Sequence, residues 1–212
     1  MRCIKLSSFT YLMGLIATDG YLIKYKDKIL HAEIESTEKD LLTSISKEYN
    51  IDLHYRNRVI KDKVRHFWRL IFRDIIPKEY LPMFNKTREG LFEYYKNLNC
   101  EDKNDFMLGI WDGDGSVCKG KNNIIRITLV VNSQTKSIID IVEDFTFNNN
   151  IKISKYFDKR GVGCYNYSIY SKYRVDFLKL LYSNKNITSI ERKRNNAYEL
   201  LQQNQKVGVA CQ

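Results

Sequence analysis

The sequence is poor in several things at once. Two prolines, Pro77 and Pro82, are all that its 212 residues contain, so no proline-rich linker or recognition tract is present. The three histidines (His31, His54, His66) share no metal-ligand spacing. The five cysteines (Cys3, Cys100, Cys118, Cys164, Cys211) are odd in number, widely spread and without a C-x-x-C pair. That pattern argues against a zinc ribbon or a disulfide framework. It points instead to reduced thiols in an intracellular, non-secreted protein. No apolar run approaches the length that spans a bilayer. Acids are also short: 25 Asp+Glu stand against 35 Lys+Arg, giving a formal net charge of +10. A basic excess of this size favours a polyanionic partner, either nucleic acid or an acidic membrane surface. Composition alone does not choose between them.

The residues that are present suit a folded protein. Hydrophobic residues make up 43% and charged residues 28%, which excludes a disordered tail. The length fits one medium domain or two small ones fused. Near the start, Arg2 and Lys5 precede an apolar run from Phe9 to Ala17 that superficially looks like a signal peptide. The run contains Tyr11 and Gly14, however, and leads directly into Asp19-Gly20.

It also recurs. Residues 11–20 read Tyr-Leu-Met-Gly-Leu-Ile-Ala-Thr-Asp-Gly, and residues 106–115 read Phe-Met-Leu-Gly-Ile-Trp-Asp-Gly-Asp-Gly. A constant offset of 95 pairs Gly14 with Gly109, Asp19 with Asp114 and Gly20 with Gly115. A cleavable leader has no reason to return in mid-chain. Each copy is followed by strand-like alternation, a helical stretch, a second strand pair and further helical sequence. The first half gives strands over 21–26, 29–36, 53–60 and 64–72, a helix over 37–49, and helical stretches to about Leu98. The second gives strands over 116–119, 124–131, 151–158 and 164–170, and helices over 133–148, 172–182 and 189–203. The expected fold class is therefore α+β: two pseudo-symmetric αββαββα repeats, residues 1–98 and 99–203, with a tail over 204–212. The join falls near 97–103, where Asp102 is placed to cap the incoming helix.

The repeated segment makes physical demands. An apolar helix carrying a glycine lets another backbone approach closely, so the two motif helices are expected to pack against each other. Each ends in Asp-Gly, a turn that suits glycine. An acid at a helix C-terminus opposes the macrodipole, and having it twice suggests the carboxylates are wanted there. Packed side by side, the helices bring Asp19 and Asp114 together. Facing carboxylates repel unless cations neutralise them, which implies oxygen-ligated divalent metal, most naturally Mg²⁺. Paired metals beside a basic surface suit phosphodiester cleavage.

Leu12-Met-Gly-Leu-Ile-Ala-Thr-Asp-Gly20 and Met107-Leu-Gly-Ile-Trp-Asp-Gly-Asp-Gly115 resemble the two motifs of a monomeric LAGLIDADG homing endonuclease. The second copy is the nearer match. The first carries Ala17 at the position where the motif has Asp, and where Asp112 stands in the second. In that family the essential metal-binding acid is the eighth motif position, here Asp19 and Asp114. The resemblance implies metal held by Asp19 and Asp114 with Gly20 and Gly115 beside them, and Mg²⁺ replaceable in binding by Mn²⁺ or Ca²⁺. It further implies a basic residue assisting the water network, for which Lys193 and Lys86 are the candidates. The implied activity is site-specific double-strand DNA cleavage by a monomer. It would leave a staggered cut across the minor groove and serve homing of the encoding intron or gene.

The family reads DNA with an antiparallel sheet in each half, and basic alternation in this sequence agrees. In the first half the candidates are His54, Arg56, Arg58, Arg65 and Arg69 on strands, with Lys24, Lys26, Lys28, Lys61 and Lys63 in hairpin loops. In the second half they are Lys119, Lys121, Asn123, Arg126 and Thr128, then Lys152, Ser154, Tyr156, Arg160 and Asn166. Arg and Lys donate to guanine edges, Asn pairs with adenine, and loop lysines hold phosphates. Glu33, Glu35 and Asp158 share these strands without an assigned role, and Ser36 and Ser133 are read as helix N-caps. The expected partner is double-stranded DNA with a long, asymmetric target. A second reading is an intron RNA-splicing maturase or a non-cleaving DNA-binding protein on the same scaffold. A membrane-surface protein would need a lysine-rich amphipathic helix, whereas here the bases concentrate on strands.

Overall fold

The computed structural model describes residues 6–26, 28–120, 124–184 and 186–209. The predicted DNA-contacting residues Lys121 and Asn123 lie outside the described residues. Both motif segments are helices: α1 spans Leu6–Asp19 and α4 spans Cys100–Asp114. The motif portion of each is apolar nearly all round, the signature of a helix with no solvent face. Leu12, Met13, Leu15 and Ile16 on α1, with Phe106, Met107, Ile110 and Trp111 on α4, are at most 1% exposed.

The glycines set how closely these helices pack. A methyl group built on Gly14 would lie 2.0 Å from the Phe106 carbonyl oxygen. One built on Gly109 would lie 2.1 Å from the Tyr11 carbonyl oxygen. The contact is reciprocal, glycine of one helix against backbone of the other. It is the most extensive contact between helices in the molecule.

Around this central pair sit two four-stranded antiparallel sheets of matching topology. The first comprises β1 (Gly20–Tyr25), β2 (Lys28–Ser36), β3 (His54–Ile60) and β4 (Lys63–Phe72), ordered β1-β2-β4-β3. The second comprises β5 (Gly115–Lys119), β6 (Ile125–Asn132), β7 (Ile153–Asp158) and β8 (Cys164–Ile169), ordered β5-β6-β8-β7. Helices α2 (Lys39–Tyr49) and α5 (Lys136–Asn148) connect the strand pairs. Strand periodicity of two sends Ala32, Ile34, Leu70 and Phe72 into the core of the first half. Val117, Ile127, Leu129, Tyr167 and Ile169 do the same in the second. The alternate residues face away from the helices. The mixed α+β architecture with two sheets is thus the one expected.

The halves part company at their ends. Where sequence reading places helices up to Leu98, the first half holds only a 3-10 turn (Leu81–Phe84) and a short α3 (Leu91–Lys96). Pro82 occupies the start of the turn, and left-handed backbone at Arg88 (φ 60°) and Gly90 (φ 82°) separates it from α3. The second half instead ends in α6 (Arg174–Leu181) and a long α7 (Glu191–Val209), which runs past the expected limit at 203. The cap of α4 is also displaced from expectation. Asn99 is the N-cap, accepting from the Asp102 amide at 2.9 Å, while Asp102 accepts from the Asn99 side chain at 2.7 Å. Asn99 thus makes the cap bond to the helix backbone, and Asp102 supports it from side chain to side chain. Ser36 and Ser133 are likewise not the caps: those positions fall to Glu38 and Thr135. Ser36 accepts from the Glu38 amide, and Ser133 donates to the Val162 carbonyl.

Candidate active site and nucleic-acid interface

Because α1 and α4 cross at their glycines, their C-termini lie together at the middle of the molecule. A methyl group on Gly113 would come within 3.5 Å of the Asp19 carboxyl carbon. Asp19 and Asp114 interact directly through their charges. Burial, then the Asp114 charge, pushes the Asp19 carboxyl up to about 7. Burial likewise raises Asp114, against the pull of Lys193 and Arg88. No hydrogen bond or ion pair to either carboxylate is seen among the described residues. Two partly buried acids crowded together, with no direct ion pair among the described residues, have the character of a hard divalent-cation site.

Two basic side chains stabilise the helix ends that carry these acids. Lys193, at the start of α7 and 3% exposed, donates to the carbonyls of Trp111 at 2.9 Å and Asp112 at 2.6 Å. Burial pulls its ammonium below the usual lysine range, with Asp112 and Asp19 opposing. Arg88 does the same for α1, donating to Ala17 at 2.7 Å and Gly20 at 2.9 Å. It also donates to Asn85 at 2.8 Å and to Phe84, so the left-handed Arg88 backbone is held by four such bonds. Cations at these carbonyls offset the conflict between the macrodipole and a terminal aspartate. Lys193 is the first cation acting on both acids, Asp19 and Asp114, and Arg88 acts on Asp114 as well.

The sequence points to Lys193 and, in the first half, to Lys86; the carbonyls at the end of α1 are bonded by Arg88 instead. Lys86 lines the neighbouring cleft of about 480 Å³, together with Lys24, Arg88, Asp114 and Thr135. The signal that could have found Arg88 is weak, since the two basic residues do not share the 95-residue offset of the motifs. The Gly20 carbonyl is engaged by Arg88, and the Gly115 amide by the Trp111 carbonyl. Asp112 is turned into the interface: it is 1% exposed and accepts from the Tyr11 hydroxyl at 2.9 Å and the Ile190 amide at 3.0 Å. Glu38 pairs with Arg192 at 3.4 Å, joining α2 to α7 across the two halves.

The strand residues sort by face. In the first sheet, β3–β4 pairing sets His54 opposite Arg69, Arg56 opposite Phe67 and Arg58 opposite Arg65. All five predicted basic residues therefore share the surface away from the helices. Glu33 and Glu35 are on it too. Glu33, 3% exposed, accepts from Tyr21 at 2.7 Å and Arg69 at 3.3 Å and contacts His31 at 3.0 Å. These bonds hold its carboxyl below the usual range despite burial. Glu35 pairs with Arg58 at 2.8 Å and Arg56 at 3.7 Å. Lys24, Lys26, Lys28, Lys61 and Lys63 are exposed at the two hairpin ends.

In the second sheet Arg126, Thr128, Ser154, Tyr156 and Asn166 share the corresponding face. Lys119 does not: it alternates with Cys118 onto the helix side, where its ammonium meets Glu199 of α7 at 2.5 Å. Lys152 is exposed just before β7. Arg160 closes back on Asp158 in a two-bonded ion pair that lowers the Asp158 carboxyl to about 2. Among the described residues no helix is long and apolar enough to cross a membrane.

No protein-family profile matches the sequence, and no curated protein matches it. Solved structures do. The chain is similar to I-DmoI in complex with DNA and Ca, at 19% identity and TM-score 0.57, covering 89% of this chain and 96% of that one. A complex of I-DmoI with DNA and Mn matches at 18% identity and TM-score 0.54, covering 85% and 99%. The homing endonuclease I-WcaI bound to its DNA recognition sequence matches at 16% identity and TM-score 0.63, covering 92% and 88%. The fold of this chain is that of the monomeric LAGLIDADG homing endonucleases.

Proposed function

We propose that this chain is a site-specific double-strand DNA endonuclease, with residues 1–98 and 99–203 each addressing one half of a long, asymmetric target. The observation that carries the proposal is the pair Asp19 and Asp114. Both stand at the ends of glycine-packed helices, both are raised by burial, and both lie in the field of Lys193, with Arg88 acting on Asp114 as well. Asp19 and Asp114 would hold divalent metal, with Mg²⁺ the natural choice for an all-oxygen site completed by water and phosphate. Such metal, when bound, activates water and stabilises the leaving oxygen of a phosphodiester.

The remaining work falls to the chain itself. Arg88 and Lys193 fix the two helix ends and so the separation of the carboxylates. They also bring positive potential to the place a backbone phosphate must occupy. Lys86 and Lys24, on the cleft beside Asp114, are positioned to hold the phosphates that flank the cut. The sheet faces read the sequence while the hairpin lysines fix register. A maturase or a non-cleaving binder would have no need of two unpaired acids at the helix ends, which is why cleavage is the better reading. The test is cleavage of duplexes selected from a randomised pool, with and without Mg²⁺. Metal-dependent cutting across both strands supports the proposal; tight duplex binding with no cutting in Mg²⁺ or Mn²⁺ overturns it in favour of a binding protein.

A further inference from the structure

The two halves carry nearly equal charge: 18 Lys+Arg against 13 Asp+Glu over residues 1–98, and 17 against 12 over residues 99–212. Their outward sheet faces are nonetheless built from different chemistry. On the first, Arg56, Arg58, Arg65 and Arg69 stand on adjacent strands. Three of them are held from beneath by carboxylates, Arg56 and Arg58 by Glu35 and Arg69 by Glu33. Arg58 also lies over the Phe67 ring, 5.5 Å from its centroid. A guanidinium paired on one edge leaves its remaining N–H groups for a partner, with part of its side-chain entropy already lost.

The second face carries one basic strand residue, Arg126, among the described residues. Its middle strand presents Thr128, Val130 and Asn132 in succession, flanked by Asn166 directly opposite Val130. Val130 is 45% exposed there, an aliphatic side chain with no core to join. Arginine forks match the two acceptors of guanine. Asparagine matches the acceptor and donor of adenine, and small methyl-bearing side chains fit the thymine methyl group.

We infer that the DNA target is compositionally divided, with guanines in the half-site under the first sheet and an A·T-rich half-site under the second. The inference rests on the proposed DNA-reading function and adds to it the base class each half selects. Arg65 and Arg58 specify guanine positions, while Asn166 and Val130 specify adenine and thymine positions on the other flank.

The experiment is selection of bound duplexes from a randomised pool in the presence of a metal chelator, so that binding is read without cutting. It is run on the native chain, Arg58→Ala, Arg65→Ala, Asn166→Ala and Val130→Ala, all exposed or half-exposed positions. The native chain is expected to enrich guanine on one flank and A·T on the other. Each arginine variant should lose a guanine preference of about tenfold at one position, leaving the opposite flank unchanged. Asn166→Ala and Val130→Ala should relax positions only on the A·T flank. Tight selection with guanines shared by both flanks, or lost through Asn166→Ala, overturns the divided target and leaves DNA reading intact. Absence of any duplex enrichment overturns both.

Discussion

Where α1 and α4 touch, the two halves mirror each other: Gly14 meets the backbone at Phe106 as Gly109 meets it at Tyr11. One turn further on, the mirror fails. Ala17 stands where α4 carries Asp112, and only Asp112 reaches across to a hydroxyl of the opposite helix. At the far ends of the halves the difference is larger still. The helix-end cation is an arginine in a left-handed loop on one side and a lysine on the first turn of α7 on the other. Symmetry is thus strict where backbones are in contact and any added atom collides. It relaxes where side chains of different length can deliver a cation to the same kind of carbonyl. The sheet faces, turned away from the central helices, differ most.

Substitutions at four places test how far this comparison holds. The largest effect is expected at the acids. If the proposed function holds, Asp19→Asn and Asp114→Asn should each lower double-strand cleavage by roughly three orders of magnitude or more, because either change would remove an oxygen proposed to hold the metal. Separate strand-resolved gels decide whether the halves act as one: a variant that still nicks one strand at the native rate would show independent sites.

Next come the glycines. Gly14→Ala and Gly109→Ala should each destabilise the fold by about 3 kcal/mol, at the upper end for overpacking, since the obstructing atoms are backbone. Denaturant unfolding of the two variants side by side checks the symmetry, and a difference of more than about 1 kcal/mol between them would break it. Third is the asymmetric pair at the sixth motif position. Asp112→Ala copies the first half into the second and should cost about 2 kcal/mol by stranding the Tyr11 hydroxyl and the Ile190 amide. Tyr11→Phe with Asp112→Ala should recover part of that loss in a double-mutant cycle.

The smallest effect concerns Asp105, whose first-half counterpart at the same offset is Thr10. Burial pushes the Asp105 carboxyl up to about 7 from an ordinary value of 3.8, against the bond donated by Asn184. A folded-state pKa above the unfolded one means that the folded chain holds the extra proton. The stability from this group is complete below about pH 4 and is lost as pH rises through 7. Asp105→Thr should therefore flatten this part of the pH–stability curve and leave the protein about 1 kcal/mol more stable at pH 8. Thermal melts of the two proteins at pH 4 and pH 8 measure it; parallel curves would contradict the assignment.

Much of the arrangement was legible in the order of residues. Two copies of one apolar segment at a fixed offset announce a duplicated unit, and period-two alternation placed the arginines of β3 and β4 on one face. The same rule misplaced Lys119, whose parity with Val117 sends it to the helix side toward Glu199. The partners of Glu33 and Glu35 other than His31 were not legible, because they lie on β1, β3 and β4, brought near only by sheet pairing. Arg88 was not legible either. Its role depends on a left-handed backbone turn, which leaves no periodic trace, and on carbonyls about 70 residues earlier in the chain.

By itself, then, the sequence determined the duplicated helices, the strand count and the presence of Asp19 and Asp114 at matched helix ends, because local periodicity and repetition dictate them. Only the tertiary structure decided that Lys193 acts on both acids and Arg88 on Asp114, which arginines are held by carboxylates, and how differently the two faces are furnished. Those are contacts between segments distant in the chain. Their geometry is set by the packing of backbones around Gly14 and Gly109, and no local pattern encodes it.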